Sequence, residues 1–463
     1  MTILLRQVKI ADPQSPFNGA TKDILISNNQ ISSITDHFQG TADKVYEIPH
    51  SIVSPGWVDS FVHFCDPGME NRETLVTGAA AAQKGGFTTV FNIPNTHPIT
   101  DNKSQVTYTK QQSNHLPINV YPIGALSKKI EGKDLAEMID MFNNGAVAFS
   151  DGLHPVQSTL LFLKALQYVK AFDGVVIQMP IDKSLGSLGL MNEGVLSTQL
   201  GLPGIPAIAE ELIISRDIEL LKYTQSKLHI TGVSTAKGIA MIAAAKKDGL
   251  NISCSVTPYH LFFTEEDLKE YNTLLKVFPP LRTKKDQEAL LKAVEDGTVD
   301  CISSHHLPQD WDAKTIEFEN AKAGIASIET CFSAVLEKLP KLTEEKIASL
   351  EGGLGAVATA SGQAAQFLTF AALAGAGDHV VASSNLYGGT LTQLDVTLRR
   401  FGVDTTFIKS DAPADFEKAI TDKTRFIYAE SLANPGNQIA DIEGLAKVAD
   451  KHGLPLIIDS TIA

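Results

Sequence analysis

The sequence has little of what disulfide-rich, membrane and nucleic-acid-binding proteins depend on. Its 463 residues include only four cysteines, which are scattered with no Cys-x-x-Cys pair. We therefore expect neither a disulfide framework nor a thiolate zinc site, and a reducing cytoplasm fits. The N-terminus lacks a basic region before a long apolar run, and no stretch approaches 18 apolar residues, so we expect no signal peptide and no membrane span. The net charge of -14 argues against nucleic acid or an anionic membrane as partner, because like charges repel.

Short apolar runs and helical patterns divide the chain into three predicted domains. Residues 1–55 indicate short strands, with turn signals between them. Over residues 56–342, strand and helix alternate in roughly eight units, which predicts a parallel sheet that closes into a barrel. Residues 343–463 begin with a Gly- and Ala-rich stretch and then start a new strand–helix alternation. The predicted class is therefore α/β throughout the second and third domains.

The stretch PGWVDSFVHFCDPG, residues 55–68, is the most informative motif. A strand that ends in D-x-H-x-H points two imidazoles to the same side, because residues i and i+2 share a face. Such a pair could hold a divalent metal at the mouth of a barrel. In this chain the first imidazole position is Phe61, and only His63 remains.

Five further motifs follow in a fixed order along the chain. They are NIPNT (92–96), FSDG (149–152), VSTAKG (233–238), PPLR (279–282) and ISSHHLP (302–308). With them, residues 1–345 resemble dihydroorotases, cyclic-amide hydrolases of the amidohydrolase superfamily. The resemblance implies a (β/α)8 barrel with a β-sandwich, here incomplete because the returning strands are replaced. It also implies reversible closure of carbamoyl-aspartate to dihydroorotate, a step of pyrimidine biosynthesis that uses one or two zinc ions.

The resemblance maps the metal-ligand positions onto residues that mostly cannot bind a metal. They fall at Phe61, His63, Asp151, Met179 and Gly232. A phenyl ring and a bare backbone offer no lone pair, and a thioether suits soft copper rather than zinc. His63 and Asp151 would remain as a partial metal site, with His305 as at most a third ligand. Two alternatives stay open: His63 as a hydrogen-bonded imidazole, and Asp151 as a turn residue.

The positions that the resemblance gives to catalysis and substrate binding are also changed. The catalytic aspartate position is His305, which is a poor substitute for a carboxylate that must collect a proton. The substrate-carboxylate arginine is Cys65, and a substrate-binding asparagine is Phe278. Asn95 alone keeps a substrate-contact type. We therefore expect that the zinc is lost and that the barrel is a catalytically inactive pseudoenzyme.

The last 120 residues carry a second set of motifs. Residues 361–365, SGQAA, open an apolar helix whose N-terminus suits a phosphate. YGGT (387–390) follows a strand and supplies an aromatic ring. ESLANP (430–435) ends another strand, and Asp459 ends the last. In this order the motifs resemble the cystathionine γ-synthase/O-acetylhomoserine sulfhydrylase family of pyridoxal-phosphate (PLP) enzymes.

This second resemblance implies a partial fold-type-I α/β sheet domain and a set of cofactor-binding residues. Gly362 and Gln363 would hold the phosphate, Tyr387 would stack on the ring, Asn434 would approach the ring hydroxyl, and Asp459 would face the ring nitrogen.

The Schiff-base lysine of that family is expected beyond Ala463, so we interpret the segment as a truncated fragment. Ser460 is a departure, since the family usually has asparagine there. Lys447 and Lys451 follow a helical pattern and indicate solvated surface. Without the lysine no internal aldimine forms, so we expect that PLP is not bound covalently.

Three functions remain open at this point. The favoured one is a non-catalytic barrel kept for binding, a partner of aspartate transcarbamoylase or of an active dihydroorotase. The second is an active dihydroorotase with a zinc near His63, Asp151 and His305. The third is an O-acetylhomoserine sulfhydrylase-like PLP protein, and the junction itself is either a natural fusion or an artefact. Because the incomplete sandwich and the fragment would leave edges uncovered, we expect a homo-oligomer.

Overall fold

The computed structural model describes residues 2–12, 15–48, 51–186, 189–339, 362–410, 412–431 and 439–459. The chain divides into two compact units, Met1–Leu354 and Gly355–Ala463. The predicted junction at residues 343–345 lies outside the described residues. Within the described part, no helix is both long enough and apolar enough to cross a membrane.

The N-terminal strands form one five-stranded sheet. The order is β3-β2-β1-β4, and β5 also pairs with β1. The strands β1 to β3 are antiparallel neighbours, whereas β4 and β5 run parallel to β1. The strands are β1 (Thr2–Ile10), β2 (Thr21–Ser27), β3 (Gln30–Thr35), β4 (Lys44–Tyr46) and β5 (Ile52–Val53).

A two-residue turn sets the register of the β2–β3 hairpin. Asn28 and Asn29 have φ of 50° and 59°, the left-handed conformation that matches the twist of hairpin strands and that asparagine tolerates. The turn signal in the sequence is confirmed. Val8, Ile10 and Ile24 then share the buried face of the sheet.

The next strands form the barrel. They are β6 (Trp57–Val62), β7 (Phe87–Asn92), β8 (Asn119–Pro122), β9 (Val176–Gln178), β12 (Leu228–Ile230), β13 (Ile252–Val256) and β14 (Cys301–Ile302), while β10 (Met191–Asn192) and β11 (Gly204–Ile205) pair in an excursion. The orders β6-β7-β8 and β9-β12-β13-β14 are parallel.

Three contacts close these two parallel sheets into a ring. Phe149 forms parallel bridges with Gly124 on one side and with Val176 on the other. It therefore takes the place of the fourth of the eight barrel strands, which we call staves. The His63 amide donates to the His306 carbonyl at 2.9 Å. Asp59, fully buried, accepts from the Ser303 hydroxyl and the Ser304 amide across the same seam. The predicted eight-unit barrel is confirmed.

Helices pack around the staves and bury one face each. Most begin at an N-cap whose side chain accepts from the first turn, as Thr235 does from Gly238. The helices are α1 (Leu75–Lys84), α2 (Lys103–Ser113), α3 (Met138–Asn143), α4 (Thr159–Lys170), α5 (Lys183–Gly186), α6 (Val195–Leu200), α7 (Ile208–Thr224), α8 (Ala236–Lys247), α9 (Pro258–Phe262), α10 (Lys284–Glu295) and α11 (Cys331–Lys338), with 3-10 turns at Lys128–Ile130, Glu265–Leu268 and Thr273–Leu275.

The second unit is a parallel four-stranded sheet with its own core. Its strands are β15 (His379–Ser383), β16 (Asp404–Ile408), β17 (Thr424–Glu430) and β18 (Leu456–Asp459), in the order β16-β15-β17-β18. Its helical segments are α12 (Gly362–Leu373), α13 (Gly388–Thr392), a π-type turn at Gln393–Thr397, α14 (Leu398–Arg400), α15 (Pro413–Lys418) and α16 (Ile442–His452). Phe370 packs against Phe426 and Tyr428 inside it. The parallel sheet with flanking helices agrees with the predicted partial fold-type-I α/β domain.

Candidate functional site

His63 follows β6 at the barrel mouth, and its imidazole is fully used by backbone groups. Its Nδ1 accepts a hydrogen bond from the Cys65 amide at 2.8 Å, so the proton lies on Nε2. That Nε2 lies 3.1 Å from the Asn95 carbonyl and donates to it. Burial lowers the pKa of His63 to about 4, so the ring is neutral near pH 7. Neither ring nitrogen is left with a lone pair for a metal.

Asp151 follows the fourth stave, and its carboxylate is directed into a neighbouring loop. Its Oδ1 accepts from the Leu126 and Ser127 amides at 3.0 and 2.8 Å. Its Oδ2 accepts from the Ser127 hydroxyl at 2.5 Å. Burial raises the pKa of Asp151 and these hydrogen bonds lower it; because burial is the larger effect, the pKa is raised to about 6. The carboxylate therefore has the environment of a loop anchor.

Asn95 lies between the other two predicted site residues and links them. Its Nδ2 donates to the Asp151 carbonyl at 3.2 Å, and its Oδ1 accepts from the Leu153 amide at 3.1 Å. Together with the bond from His63 to the Asn95 carbonyl, these contacts tie three stave ends together. The structure thus brings His63, Asn95 and Asp151 into one hydrogen-bonded group.

His305 follows β14 and lies against Phe61 and Gly232, two of the predicted metal-ligand positions. Its ring stacks on Phe61 with centroids 4.6 Å apart. A Cβ built on Gly232 would lie 2.6 Å from His305 Cε1, so the imidazole fills the space of a side chain there. The space left beside Phe61, His63 and His305 is about 10 Å³, at the lower limit for one water molecule.

A chain of hydrogen bonds extends from His305 into the barrel interior. His305 Nε2 lies 2.7 Å from the Thr231 hydroxyl, which lies 2.9 Å from the Ser255 hydroxyl. His229 continues the chain, with its ring nitrogens 3.1 Å from Ser255 and 2.8 Å from Ser253. Burial lowers the pKa of His305 to about 3 and that of His229 to about 4, so both rings are neutral.

Met179 follows β9 and is fully buried. Phe61 packs with Ile93, Ile123 and Ile177 as an apolar layer across the barrel. Among the residues that the structure describes, no group of three or more His, Cys, Asp and Glu side chains is placed to hold a metal ion. His63, Asp151 and His305 are therefore not gathered around a common point.

A larger cavity of about 470 Å³ opens beside these residues. The residues that line it include His63, Arg72, Asn95, His97, His154 and Phe278. The sequence motifs pointed neither to Arg72 nor to the pair that His306 Nε2 forms with Glu73 at 2.8 Å. The signal for both lay in the segment between the PG of residues 67–68 and α1, where charged residues precede a small-residue helix.

In the second unit the structure describes part of the predicted cofactor set. Gly362 and Gln363 begin α12, and Asn434 lies outside the described residues. Tyr387 is half exposed, and its amide donates to Glu430 at 2.8 Å. Asp459 ends β18, where its Oδ2 accepts from Gln366 Nε2 at 2.5 Å and from the Tyr428 hydroxyl at 3.2 Å.

Two family models match the chain. A "Dihydro-orotase-like" model matches residues 50–238, and a "Cys/Met metabolism PLP-dependent enzyme" model matches residues 331–463. The chain is 39% identical to the dihydroorotase of Acetivibrio thermocellus over 340 residues, which are 73% of this chain and 80% of the relative. It is 40% identical to the dihydroorotase of Carboxydothermus hydrogenoformans over 328 residues, 70% of this chain and 76% of the relative.

Solved structures support the same fold at lower identity. An L-hydantoinase (dihydropyrimidinase) from Arthrobacter aurescens superposes with a TM-score of 0.62 at 21% identity, covering 76% of this chain and 82% of that one. A dihydropyrimidinase from Brevibacillus agri gives 0.58 at 19% identity, covering 78% and 84%. At these identities the likeness establishes the barrel architecture and no chemistry.

Proposed function

The chain belongs to the dihydroorotase family and continues into a Cys/Met-metabolism PLP-enzyme segment; from this premise we propose that its barrel is a non-catalytic, dihydroorotase-like binding scaffold. The observation that carries the proposal is the state of His63. Both of its ring nitrogens are engaged by the backbone of Cys65 and Asn95. His63, the remaining histidine of the family's metal-binding pair, therefore has no free nitrogen lone pair with which to bind a metal.

The chemistry of the other ligand positions supports the same proposal. Zinc needs nitrogen, oxygen or thiolate donors that converge at about 2.0 to 2.3 Å. Phe61 and Gly232 have none, and the Asp151 carboxylate is held by Leu126 and Ser127. The residues present do not fit a binuclear metal centre. Without it, nothing in the site would lower the pKa of water from 15.7 toward 7.

A zinc-loading assay of turnover tests this proposal. The purified chain is incubated with excess Zn²⁺ or with EDTA, and hydrolysis of dihydroorotate is followed. The Acetivibrio thermocellus dihydroorotase serves as the positive control. We expect the two samples of this chain to give the same background rate. Zinc-dependent turnover would instead support an active dihydroorotase, the function favoured by the 39% identity to that relative.

A binding scaffold of this family would act through a partner of the pyrimidine pathway. We propose aspartate transcarbamoylase or an active dihydroorotase as that partner, and self-association of the chain as a homo-oligomer. Tagged chain should retain one of the two enzymes in a pull-down with purified proteins. Retention of neither would contradict the partner proposal but not the absence of catalysis.

For the second unit we propose that PLP, when present, is not bound covalently. Tyr387 and Asp459 are of the types that the PLP family uses around the cofactor ring. Lys447 and Lys451, however, lie exposed on α16, and Lys451 pairs with Glu417 at 2.7 Å. Borohydride reduction with PLP followed by peptide mapping should label neither lysine. A stoichiometric pyridoxyl adduct on either one would contradict the proposal.

A further inference from the structure

We propose that an exposed apolar patch on the segments that follow β13 and β14 is a docking surface for a basic amphipathic helix of another protein. The patch, which we call the Trp311 patch, consists of Tyr271, Leu274, Trp311 and Ile316. None of the four lines the cavity beside His63, so the patch is separate from the candidate site. The inference rests on the proposed function and deepens it, because a binding scaffold needs a surface for its partner.

Large apolar side chains are exposed across this patch. The exposed fraction is 73% for Trp311, 56% for Leu274, 45% for Tyr271 and 44% for Ile316. Tryptophan and tyrosine are enriched among the residues that carry most of the binding energy at protein interfaces. A partner that covers the patch would remove this apolar surface from water, which is the main favourable contribution to association.

Two buried lysines hold the two segments of the patch together. Lys314 Nζ donates to the Thr273 carbonyl at 2.9 Å, and the Thr273 hydroxyl donates to the Lys314 carbonyl at 2.6 Å. From the other segment, Lys276 Nζ donates to the Phe318 carbonyl at 2.6 Å. The four apolar side chains therefore lie on one cross-linked platform. Ordering them under a partner costs less entropy than it would on an unattached loop.

Exposed carboxylates flank the patch and determine the charge of its partner. Glu270 precedes Tyr271, Asp312 follows Trp311, and Glu317 follows Ile316, and all three carboxylates are exposed. In the part of the chain that the structure describes, none of the three forms an ion pair, whereas the nearby Glu266 is paired with Lys269. A partner with Lys or Arg would meet these carboxylates with the opposite charge. An Arg guanidinium would also be attracted to the face of the tryptophan ring.

The same charges argue against the other occupants of such a patch. A second copy of this chain would bring identical carboxylates face to face, because a two-fold interface joins the same surface of both subunits. Nucleic acid and anionic membranes carry phosphates that these carboxylates repel. The described residues 271–275 and 311–319 contain no strand, so the patch offers side chains and no edge for strand addition. A helix with apolar residues at i, i+3 and i+4 and basic residues beside them is the element that fits.

Fluorescence anisotropy with the full chain and a labelled peptide tests the inference. The probe is a short amphipathic helix of leucine and lysine, and its control peptide has glutamate at every lysine position. Trp311→Ala is compared with Tyr223→Ala, a 74% exposed aromatic of α7, and Glu317→Gln with Glu288→Gln, an exposed carboxylate of α10. We expect binding weaker by about tenfold in Trp311→Ala and about threefold in Glu317→Gln, with less than about a twofold change in each control. The pH is 7, because burial lowers the pKa of Lys314 to about 8 and its ammonium must stay charged.

The outcomes separate this inference from the proposed function. Binding of the lysine peptide that depends on Trp311 and Glu317 supports the docking surface. No binding by the wild type, equal binding of the glutamate peptide, or an equal loss in Trp311→Ala and Tyr223→Ala overturns it. In sedimentation velocity, a wild-type oligomer that dissociates in Trp311→Ala would make the occupant a second copy and would also overturn it. Zinc-dependent turnover in the separate assay would overturn the proposed function while leaving the peptide titration valid.

Discussion

The two units of the chain keep different parts of the enzymes they resemble. In the barrel unit the staves and seam are intact, but the ends of the staves carry Phe61, Met179 and Gly232 at the positions where the family resemblance predicts metal ligands. In the second unit the sheet is smaller, yet Tyr387 and Asp459 keep the types expected around a cofactor. A conserved architecture and a usable site are therefore separate properties, because packing fixes the first and individual donor atoms fix the second.

The largest expected change is a loss of folding stability when a buried ion pair of the barrel is broken. It tests whether the barrel unit is a well-packed scaffold. Glu210 is fully buried, accepts from the Ser234 amide at 3.0 Å, and lies 3.7 Å from the Arg282 guanidinium. Glu210→Ala leaves a buried charge without its partner and should lower the free energy of unfolding by about 4 kcal/mol.

Tryptophan fluorescence in a urea titration measures this loss, since both tryptophans, Trp57 and Trp311, belong to the barrel unit. Glu219→Ala, which removes an exposed pair with Lys222, is the control and should change stability by less than about 0.5 kcal/mol. A loss below about 1 kcal/mol in Glu210→Ala would mean that the network does not support the barrel.

The next effect tests whether the second unit has a core of its own. Leu394 is fully buried in the cluster around Phe370. Leu394→Ala removes buried methyl groups and leaves a cavity, so it should cost about 3 kcal/mol. Hydrogen exchange of peptides from β15 and β17 measures the loss. Val396→Ala, at a 43% exposed position, is the matched control, and similar exchange in the two variants would refute the core.

A smaller effect concerns the acid sensitivity of the barrel mouth. Burial holds the pKa of His305 at about 3, below the value of 6.5 for an unfolded chain. Between pH 6.5 and pH 3 the His305 ring is protonated in the unfolded chain but neutral in the folded chain. His305 therefore lowers the free energy of unfolding as the pH falls below 6.5. His305→Gln should therefore reduce the drop in unfolding free energy from pH 7.5 to pH 5 by about 2 kcal/mol.

Urea titrations at both pH values, followed by tryptophan fluorescence, give that difference. His115→Gln removes an exposed histidine and should leave the drop unchanged. If the drop in unfolding free energy from pH 7.5 to pH 5 is the same in His305→Gln as in the wild type, the His305 ring is protonated or solvated in the folded barrel.

The smallest expected effect is that of a single substitution on zinc binding. It tests whether one restored imidazole is enough to create a metal site at the barrel mouth. Phe61→His returns one imidazole to the layer formed with Ile93 and Ile123, where burial of a polar ring should cost about 1 to 2 kcal/mol. Bound zinc should stay below about a tenth of an equivalent, because His63 remains engaged by the backbone. A full equivalent of zinc in this variant would mean that a single residue accounts for the loss.

The sequence predicted the staves well because apolar runs and turn signals are local. The strand–helix alternation after the junction and the turn signals between the N-terminal strands both correspond to observed elements, β15 and the Asn28–Asn29 turn among them. The fourth stave is not an extended strand but is represented by the two isolated bridges of Phe149.

The site was predictable in residue type but not in hydrogen bonding. In the structure Phe61 lies at the end of β6 and His63 follows directly after that strand, which is where the D-x-H-x-H motif ends. That the His63 ring is used by the Asn95 carbonyl and the Cys65 amide depends on contacts across staves. The Thr231–Ser255–His229 chain and the cavity that Arg72 lines likewise arise only when distant segments meet.

Equilibrium dialysis of the full chain against Zn²⁺, with metal analysis of the retained protein, tests the central claim most directly. If His63, Asp151 and His305 are held by their neighbours as described, the chain retains less than about a tenth of an equivalent of zinc. One or more equivalents, lost on His63→Ala but kept on the exposed control His115→Ala, would contradict the account.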